Sequence, residues 1–542
     1  MEKPGGYIQR EWSDEAMNAL RRVPRPVLWA FSLSLAVNIV CFFYEIAQFP
    51  LGDHDVGYLG GVPLLSGGRA GRWFIPFLHV LSGHVQIPVW TQLLAFCAQI
   101  SAGLGAVLLW RPHAGFLPLL AGGVLTSCMP NVTDFYYFHW MADAFPIAQL
   151  FMVLALHAAY RAPSGDGDLP VSRSRLIASV VLAVCGLATY QSCVMTWAVL
   201  FCGLCVMNVL RPMQGAFDTS AIRLRRLAAP LGAFLSACIL YGFSLKLYPL
   251  VGLSLDLYQF RTISPGDLLT NIPAVITAAY THLWLTQPFM GVWLKTTLLL
   301  VCLGGAAAML RQAGPSPSRM LPALALLLLM PAAAKAQFFL SSEQAYYLFR
   351  FAAMGLNYMY LFFLLGLLCS SLVPARNAGF ALCLILLPSM FINSLNAQVH
   401  LVHSNLHDFS TLNRVVARLE ALPDYDPEKT YHLVQLGRTK PYIQTIYGSH
   451  YTSAGWSAFS NTVSQAWNPG FELRLLSSYL KLGTRLNEES VAHPDLMRKA
   501  LRFVEGKVPF PAQGSVGIVD DTIVLFFDAR AVEAARHGLE GR

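Results

Sequence analysis

The sequence predicts an α-helical polytopic membrane protein with about eleven transmembrane helices and a small C-terminal soluble α/β domain. Hydrophobic residues make up 55% of the 542 residues and charged residues only 13%, which is more apolar surface than one water-soluble core can bury. Apolar runs long enough to cross about 30 Å of hydrocarbon recur along the chain. Beyond residue 397 charged residues become frequent and apolar runs shorten, and the remaining length is sufficient for a separate domain.

A transmembrane domain is predicted over residues 26–397, after a cytoplasmic N-terminal segment at 1–25. The first apolar run follows basic residues, as in a signal peptide, but it is long and has no small-residue cleavage site, so we interpret it as an uncleaved span. The eleven predicted spans are 27–48, 87–110, 114–130, 136–159, 176–190, 192–210, 227–249, 293–311, 320–339, 351–372 and 377–397.

The distribution of basic residues predicts the orientation, because Lys and Arg near span ends are retained on the cytoplasmic side. With the N-terminus inside, sixteen of the Lys and Arg residues up to residue 397 fall on inner segments and seven on outer ones. The domain at 398–542 is therefore expected in periplasmic or extracellular space. The net charge of +8 largely reflects the inner-face bias, so we expect membrane lipids and no nucleic acid as partners.

Two long outer loops are predicted at 45–86 and 250–292. The first is Gly-rich up to Gly71 and then carries apolar residues at helical spacing from Trp73 onward, which indicates a helix on the membrane surface. In the second, Pro265 and Asp267 mark a helix start. We interpret the stretch after them as a surface or re-entrant helix, because a further crossing would reverse all later orientations.

The segment 398–542 combines helix and strand signals. Apolar residues at helical spacing from Leu401 to Leu419 predict that the last span continues outward. Residues 431–436 and 515–527 have the apolar patterns of strands, and 519–522 has the composition of a hairpin turn. All eleven cysteines lie in or beside apolar spans and none follows residue 397, so no disulfide framework is expected in this domain.

The acidic sequence Gly52-Asp53-His54-Asp55 follows the first predicted span. Ionisable groups beside hydrocarbon are costly to keep, and they usually handle an ion, a proton or a polar substrate. Asp53 and Asp55 are candidates for a general base, or for the oxygen ligands of a divalent cation such as Mg²⁺ or Mn²⁺. The alternative is a solvated surface loop, since Asp-X-Asp arises often by chance.

Arginines on the predicted outer face are candidates to bind a phosphate group bidentately. Arg72 and Arg350 each adjoin a helix in an aromatic setting, and Arg69 lies in the same loop as Arg72. The alternative for each is a side chain that extends to lipid headgroups. Further candidates for substrate binding at outer span ends are His139, Asp143, Tyr190, Gln191 and Glu343. Structural alternatives are packing of Asp143 against an arginine, a hydrogen-bonded His139, and capping of a helix turn by Tyr190-Gln191.

The order of these motifs resembles that of the bacterial Gtr type II glucosyltransferase family. The shared features are the acidic cluster, Gly71-Arg72-Trp73, Asp143, Tyr190-Gln191, Arg350 and a C-terminal stretch from Gly514 to Val524. The resemblance implies a GT-C-like enzyme of the bacterial inner membrane. It would move glucose, with inversion and on the outer face, from a polyprenyl-phosphate-linked donor to O-antigen, another envelope polysaccharide or a lipid-linked glycan. The family's acidic motif is two adjacent aspartates, whereas His54 separates them here, and the distance to Gly71-Arg72 favours Asp55 as the base.

Two other functions stay open at this point. A transporter or flippase for a lipid-linked sugar needs polar residues near the bilayer midplane and often shows inverted repeats, whereas this chain places its acids near one face. An O-antigen polymerase or ligase is expected to carry a large loop between late spans, whereas the soluble part of this chain is C-terminal.

Overall fold

The computed structural model describes residues 23–48, 70–81, 88–136, 141–160, 171–210, 220–251, 265–281, 290–314, 317–339, 349–437, 485–486 and 494–540. Its larger part is a bundle of helices. Its smaller part, near the C-terminus, is a β-sheet with helices on both faces.

A described helix overlaps each of the predicted spans. The first half of the bundle contains α1 (Arg25–Cys41), α2 (Phe43–Gln48), α3 (Ile75–Leu81), α4 (Pro88–Trp110), α5 (Phe116–Cys128), α6 (Thr133–Tyr136), α7 (Ala144–Ala159) and α8 (Arg173–Thr189). The second half contains α9 (Val194–Leu210), α10 (Ser220–Lys246), α11 (Pro265–Thr281), α12 (Val292–Ala313), α13 (Pro317–Ala333), α14 (Phe349–Leu368) and α15 (Val373–Glu420). The helix predicted to start at Pro265 is thus present as α11.

Five of the described helices are long and apolar enough to cross a membrane, and five shorter apolar helices accompany them. The five long segments are Val89–Trp110, Gln191–Leu210, Arg226–Lys246, Val292–Gln312 and Val373–Glu420. The prediction of a mostly helical membrane protein is confirmed at this level. The number eleven and the orientation stay predictions.

Small residues and buried amides hold the bundle together. Where α4 crosses α5, a Cβ atom on Gly103 would collide with the carbonyl oxygen of Gly122, so only glycine permits this approach. Gln149 of α7 donates to the side-chain oxygen of Gln99 of α4 at 3.0 Å, and both side chains are fully buried. Such close contacts and interhelical hydrogen bonds associate helices where lipid provides no hydrophobic driving force.

Two predicted spans differ from the structure. The first is interrupted, because α1 ends at Cys41 and α2 begins at Phe43. The side chain that interrupts it is Gln398 of α15. Because Gln398 is distant in the sequence, a hydropathy pattern cannot reveal it. In the predicted span 136–159 the long helix, α7, begins only at Ala144, after Asp143 at its N-cap position.

The C-terminal sheet confirms the predicted strands. Its spatial order is β2 (Arg485–Leu486), β1 (Thr430–Leu436), β4 (Thr522–Phe526) and β3 (Val516–Val519). Strand β1 is parallel to both neighbours, while β3 and β4 form an antiparallel hairpin. One face of the sheet packs against the far end of α15, and the other packs against α16 (Pro494–Phe503) and α17 (Ala529–Glu540).

Charged side chains surround the turn of the β3–β4 hairpin. Asp520 has a positive φ of 57°, and Lys499 of α16 lies 3.0 Å from its carboxylate and 3.5 Å from that of Asp521. Burial alone would raise the pKa of Asp521, but the hydrogen bond from the Thr522 hydroxyl and the nearby Lys499 and His432 lower that pKa below its usual value. The turn is therefore tied to α16 by ionic contacts.

Candidate functional site

A tight loop between the acidic segment and α3 carries Arg72. Gly71 has a φ of 75°, a left-handed conformation that side chains with a Cβ atom adopt only with strain. The carbonyl oxygen of Gly71 accepts a hydrogen bond from the Tyr241 hydroxyl at 3.1 Å, and that of Ala70 accepts one from the Gln191 amide at 2.8 Å. Side chains from two helical regions therefore fix the backbone on which Arg72 is mounted.

The Arg72 side chain is held by Tyr190 and Gln191, two further candidates from the sequence analysis. Its guanidinium carbon lies 4.5 Å from the centre of the Tyr190 ring, within the range of a cation–π contact. Its Nε donates to the side-chain oxygen of Gln191 at 3.4 Å. Arg72 is half-buried, so a fixed positive charge is presented at a partly accessible position.

The chain path between α8 and α9 explains why Tyr190 and Gln191 act together. Tyr190 ends α8 in an extended conformation with a φ of −157°, and Gln191 opens the 3-10 turn Gln191–Cys193 that leads into α9. The backbone N–H of Phe74 donates to the Ala188 carbonyl at 3.0 Å. The loop that carries Arg72 is thus docked on the end of α8.

Helix α10 supplies two polar side chains that sequence reasoning missed. The Tyr241 hydroxyl accepts from the Gln191 amide at 2.7 Å while it donates to Gly71, and Ser244 accepts from the Trp73 indole at 3.1 Å. Both residues lie in an apolar predicted span, where one hydroxyl is no signal by itself. Their spacing of three residues, which places them on one helix face, is the only hint that the sequence offers.

Asp143 lies two residues before Phe145, a ring that contacts Tyr190 of this cluster. Its side chain is buried, with 3% exposed, and it stands at the N-terminus of α7, where unpaired backbone N–H groups favour a negative charge. The neighbouring Phe145 ring meets Tyr190 edge-on at 4.6 Å. The structure therefore brings Arg72, Tyr190 and Gln191 into direct contact, and it places Phe145, two residues after Asp143 in the chain, against Tyr190.

A fully buried lysine, Lys335, lies at the same end of the bundle as Arg72. Lys335 follows α13 and is fully buried, and its ammonium is 5.8 Å from the Phe338 ring. The adjacent Ala334 carbonyl packs tightly against Gly355 of α14, next to the carbonyl of Met354 that accepts from Thr196 in the first turn of α9. In the sequence analysis Lys335 is only one of the seven basic residues on outer segments. A lone lysine in an alanine-rich apolar run was the signal available.

Five other candidate residues lie outside the described residues: Asp53, Asp55, Arg69, His139 and Glu343. Only the backbone of Arg350 is described, in the first turn of α14. No group of three or more metal-ligating side chains is found in the described part of the chain; the acidic segment with its two aspartates lies outside that part.

An apolar cavity of about 560 Å³ opens between α1, α5 and α15. Its walls are almost entirely carbon, and they include Val37 and Val40 of α1, Cys128 of α5 and Phe391 of α15. Cys41, the last residue of α1, also lines it. A cavity with such an apolar lining can bind a hydrocarbon chain. It does not suit a sugar, because sugar hydroxyls would find almost no hydrogen-bonding partners there.

Comparison with known proteins identifies the family of this chain. A search of the curated proteins and a search of the solved structures each found no significant similarity. Residues 62–395 match the model of a protein family described as Glucosyl transferase GtrII, a range that includes Arg72, Asp143, Tyr190, Gln191 and Arg350. This match covers more than half of the chain and confirms the resemblance seen in the sequence: the chain belongs to the GtrII family of glucosyltransferases, which act in the modification of envelope polysaccharides.

Proposed function

We propose that this protein transfers glucose from a polyprenyl-phosphate-linked donor to an envelope polysaccharide such as O-antigen, on the outer face of the bacterial inner membrane. The observation that carries the proposal is the fixed orientation of the Arg72 side chain. Its guanidinium is oriented by the Tyr190 ring and the Gln191 oxygen at one end of a bundle of apolar helices. A fixed guanidinium at a membrane boundary is suited to the phosphate of a lipid-linked sugar.

In the proposed reaction one bond forms and one breaks. The oxygen of an acceptor hydroxyl attacks the anomeric carbon of the glucose, and the bond from that carbon to the phosphate oxygen breaks, so a single displacement inverts the anomeric centre. Asp55 or Asp53 accepts the hydroxyl proton. Arg72 stabilises the negative charge that grows on the departing polyprenyl phosphate, and Arg350 is proposed to assist it.

The other candidates are proposed to hold the substrates. Arg69, His139 and Glu343 belong to outer segments and are assigned to sugar or phosphate binding, and buried Asp143 is assigned to orientation of the site. A divalent cation, Mg²⁺ or Mn²⁺, would take Asp53 and Asp55 as oxygen ligands. The outer domain is assigned to holding the polysaccharide acceptor.

The apolar cavity between α1, α5 and α15 supports a lipid-linked donor. It begins beside Cys41 at the end of α1, and the chain reaches Asp53 twelve residues later. A prenyl chain would fill this space with favourable apolar contact, whereas a nucleotide-linked donor has no apolar tail to place in it.

A direct assay tests the proposal. The purified full-length protein is supplied with synthetic polyprenyl-phosphate-glucose and an O-antigen acceptor, with and without a chelator. We expect glucosylated acceptor and free polyprenyl phosphate in equal amounts, and an activity lost on chelation only if a metal takes part. Movement of intact donor across vesicles without release of polyprenyl phosphate would instead support a flippase. Longer chains without added side branches would support a polymerase.

A further inference from the structure

The side-chain amide of Gln398 occupies the place of one backbone hydrogen bond between α1 and α2. In a continuous helix the N–H of Glu45 would donate to the carbonyl of Cys41, four residues earlier. Here the Gln398 Nε2 donates to the Cys41 carbonyl at 2.8 Å, and the Gln398 Oε1 accepts from the Glu45 N–H at 3.1 Å. One amide thus satisfies both groups that the interrupted helix leaves without each other.

Helical hydrogen bonds are kept on both sides of this joint. On one side the Phe42 N–H still donates to the Asn38 carbonyl at 2.9 Å, and on the other the Ile46 N–H donates to the Phe42 carbonyl at 3.0 Å. Phe42 itself leaves the helical region, with a φ of −106° and a ψ of 12°. A side chain inserted into the helical ladder is a recognised cause of a sharp bend, and no proline or glycine stands at this joint to provide another.

Gln398 is anchored so that it can hold the joint. It is fully buried, its Nε2 also donates to the Ser394 carbonyl one turn earlier in α15, and the Ser394 hydroxyl donates to the Cys128 carbonyl of α5 at 2.9 Å. Further along, α15 packs into the core of the C-terminal sheet through Leu412 and Val415. The amide therefore projects from a helix that is anchored on both sides of Gln398.

The joint lies directly before the acidic segment. Helix α2 ends at Gln48, five residues before Asp53 in the sequence. We propose that Gln398 is a positioning residue for glucose transfer: by holding the bend between Cys41 and Glu45, it fixes the direction of α2, from whose end the chain continues to the aspartates proposed as the base. This inference rests on the proposed glucosyltransferase reaction.

The test variant is Gln398→Met, which keeps the length of the side chain and removes both hydrogen bonds. Without the inserted amide, the Cys41 carbonyl and the Glu45 N–H can bond to each other, so α1 and α2 should merge into one helix. The matched control is Asn208→Leu, because Asn208 is also a buried amide that joins two helices, donating to the Tyr160 hydroxyl at 3.2 Å. It lies at the C-terminal ends of α7 and α9, opposite to the candidate site.

Two measurements on the full-length protein decide the matter. Electron cryomicroscopy of Gln398→Met should show a Cys41 to Glu45 hydrogen bond of about 3 Å and a straightened helix. The kcat for glucose transfer should fall about tenfold or more, as expected for a displaced catalytic group, while the KM for the donor stays within about twofold, because the residues that bind the phosphate are untouched. Asn208→Leu should change neither quantity.

An unchanged bend in Gln398→Met, an unchanged kcat, or an equal loss of kcat in Asn208→Leu would each overturn the proposal. A loss that appears wholly in KM would also overturn it, since that result indicates weaker donor binding. If the wild-type protein transfers no glucose, the proposed function fails, and the cryomicroscopy comparison still decides whether Gln398 holds the joint.

Discussion

The substitution Tyr241→Phe removes a single oxygen atom that makes two hydrogen bonds under the Arg72 loop. The hydroxyl donates to the Gly71 carbonyl at 3.1 Å and accepts from the Gln191 amide at 2.7 Å. The ring is 8% exposed, and phenylalanine fills the same space, so the expected effect comes from the hydrogen bonds and not from a cavity.

The size of the effect follows from these two bonds. A hydrogen bond contributes about 0.5–1.5 kcal/mol net, so the pair contributes about 1–3 kcal/mol to the arrangement that fixes Gly71 and Gln191. If that free energy holds Arg72 in its productive position, its loss lowers kcat/KM by about 5- to 150-fold, since 1.36 kcal/mol corresponds to a factor of ten. Overall folding is less affected, because the bundle core is untouched.

The assay is transfer of glucose from polyprenyl-phosphate-glucose to an O-antigen acceptor by purified protein in detergent or nanodiscs. Tyr248→Phe is the matched control: Tyr248 is also buried near the end of α10, and its hydroxyl has no hydrogen-bond partner among the described residues. We expect a change of less than about twofold in this control, because no hydrogen bond is removed. Wild-type kcat/KM in Tyr241→Phe, or equal losses in both variants, would refute the assignment of Tyr241 to the Arg72 loop.

Three further outcomes are expected. Asp53→Asn and Asp55→Asn should each leave the protein folded and inserted while at least one abolishes transfer; wild-type glucosylation by both variants would show that the base lies elsewhere. Gly71→Ala places a Cβ atom at a φ of 75°, a strain of about 1 kcal/mol or more, so transfer should fall while thermal stability in detergent changes little; unchanged transfer would contradict a strict requirement for this backbone. Because the pKa of Asp521 is lowered in the folded state, its stabilising effect is present above its unfolded pKa and is lost as the pH falls through the folded pKa. Asp521→Asn should therefore lower the melting temperature at pH 7 but not at pH 2; an equal loss at both would contradict the ionic assignment.

The sequence predicted those parts of the fold that depend on local patterns. Long apolar runs predicted the helices, and alternating apolar residues predicted β1 and the β3–β4 hairpin. The bend at Cys41 could not be predicted, because its cause is the amide of Gln398, more than 350 residues further along the chain. A hydropathy pattern contains no information about which distant side chain enters a helix.

The same limit explains the partial success at the site. Arg72 stood out because of its aromatic setting and Tyr190-Gln191 because the pair lies at an outer span end, and the structure brings them together. Tyr241 did not stand out, because a tyrosine in an apolar helix is ordinary until its neighbours are known. Lys335 carried a signal, a charge in an apolar run, but only the structure shows that it is fully buried. Asp53 and Asp55 remain predictions from the sequence.

The central claim is that Arg72 receives the phosphate of the lipid-linked donor. The most direct measurement is an electron cryomicroscopy structure of the full-length protein with bound polyprenyl phosphate. The account predicts phosphate oxygens about 3 Å from the Arg72 guanidinium, with the prenyl chain in the cavity beside Val37 and Phe391. A phosphate bound elsewhere, with Arg72 still resting on Tyr190 and bonded only to protein, would contradict it.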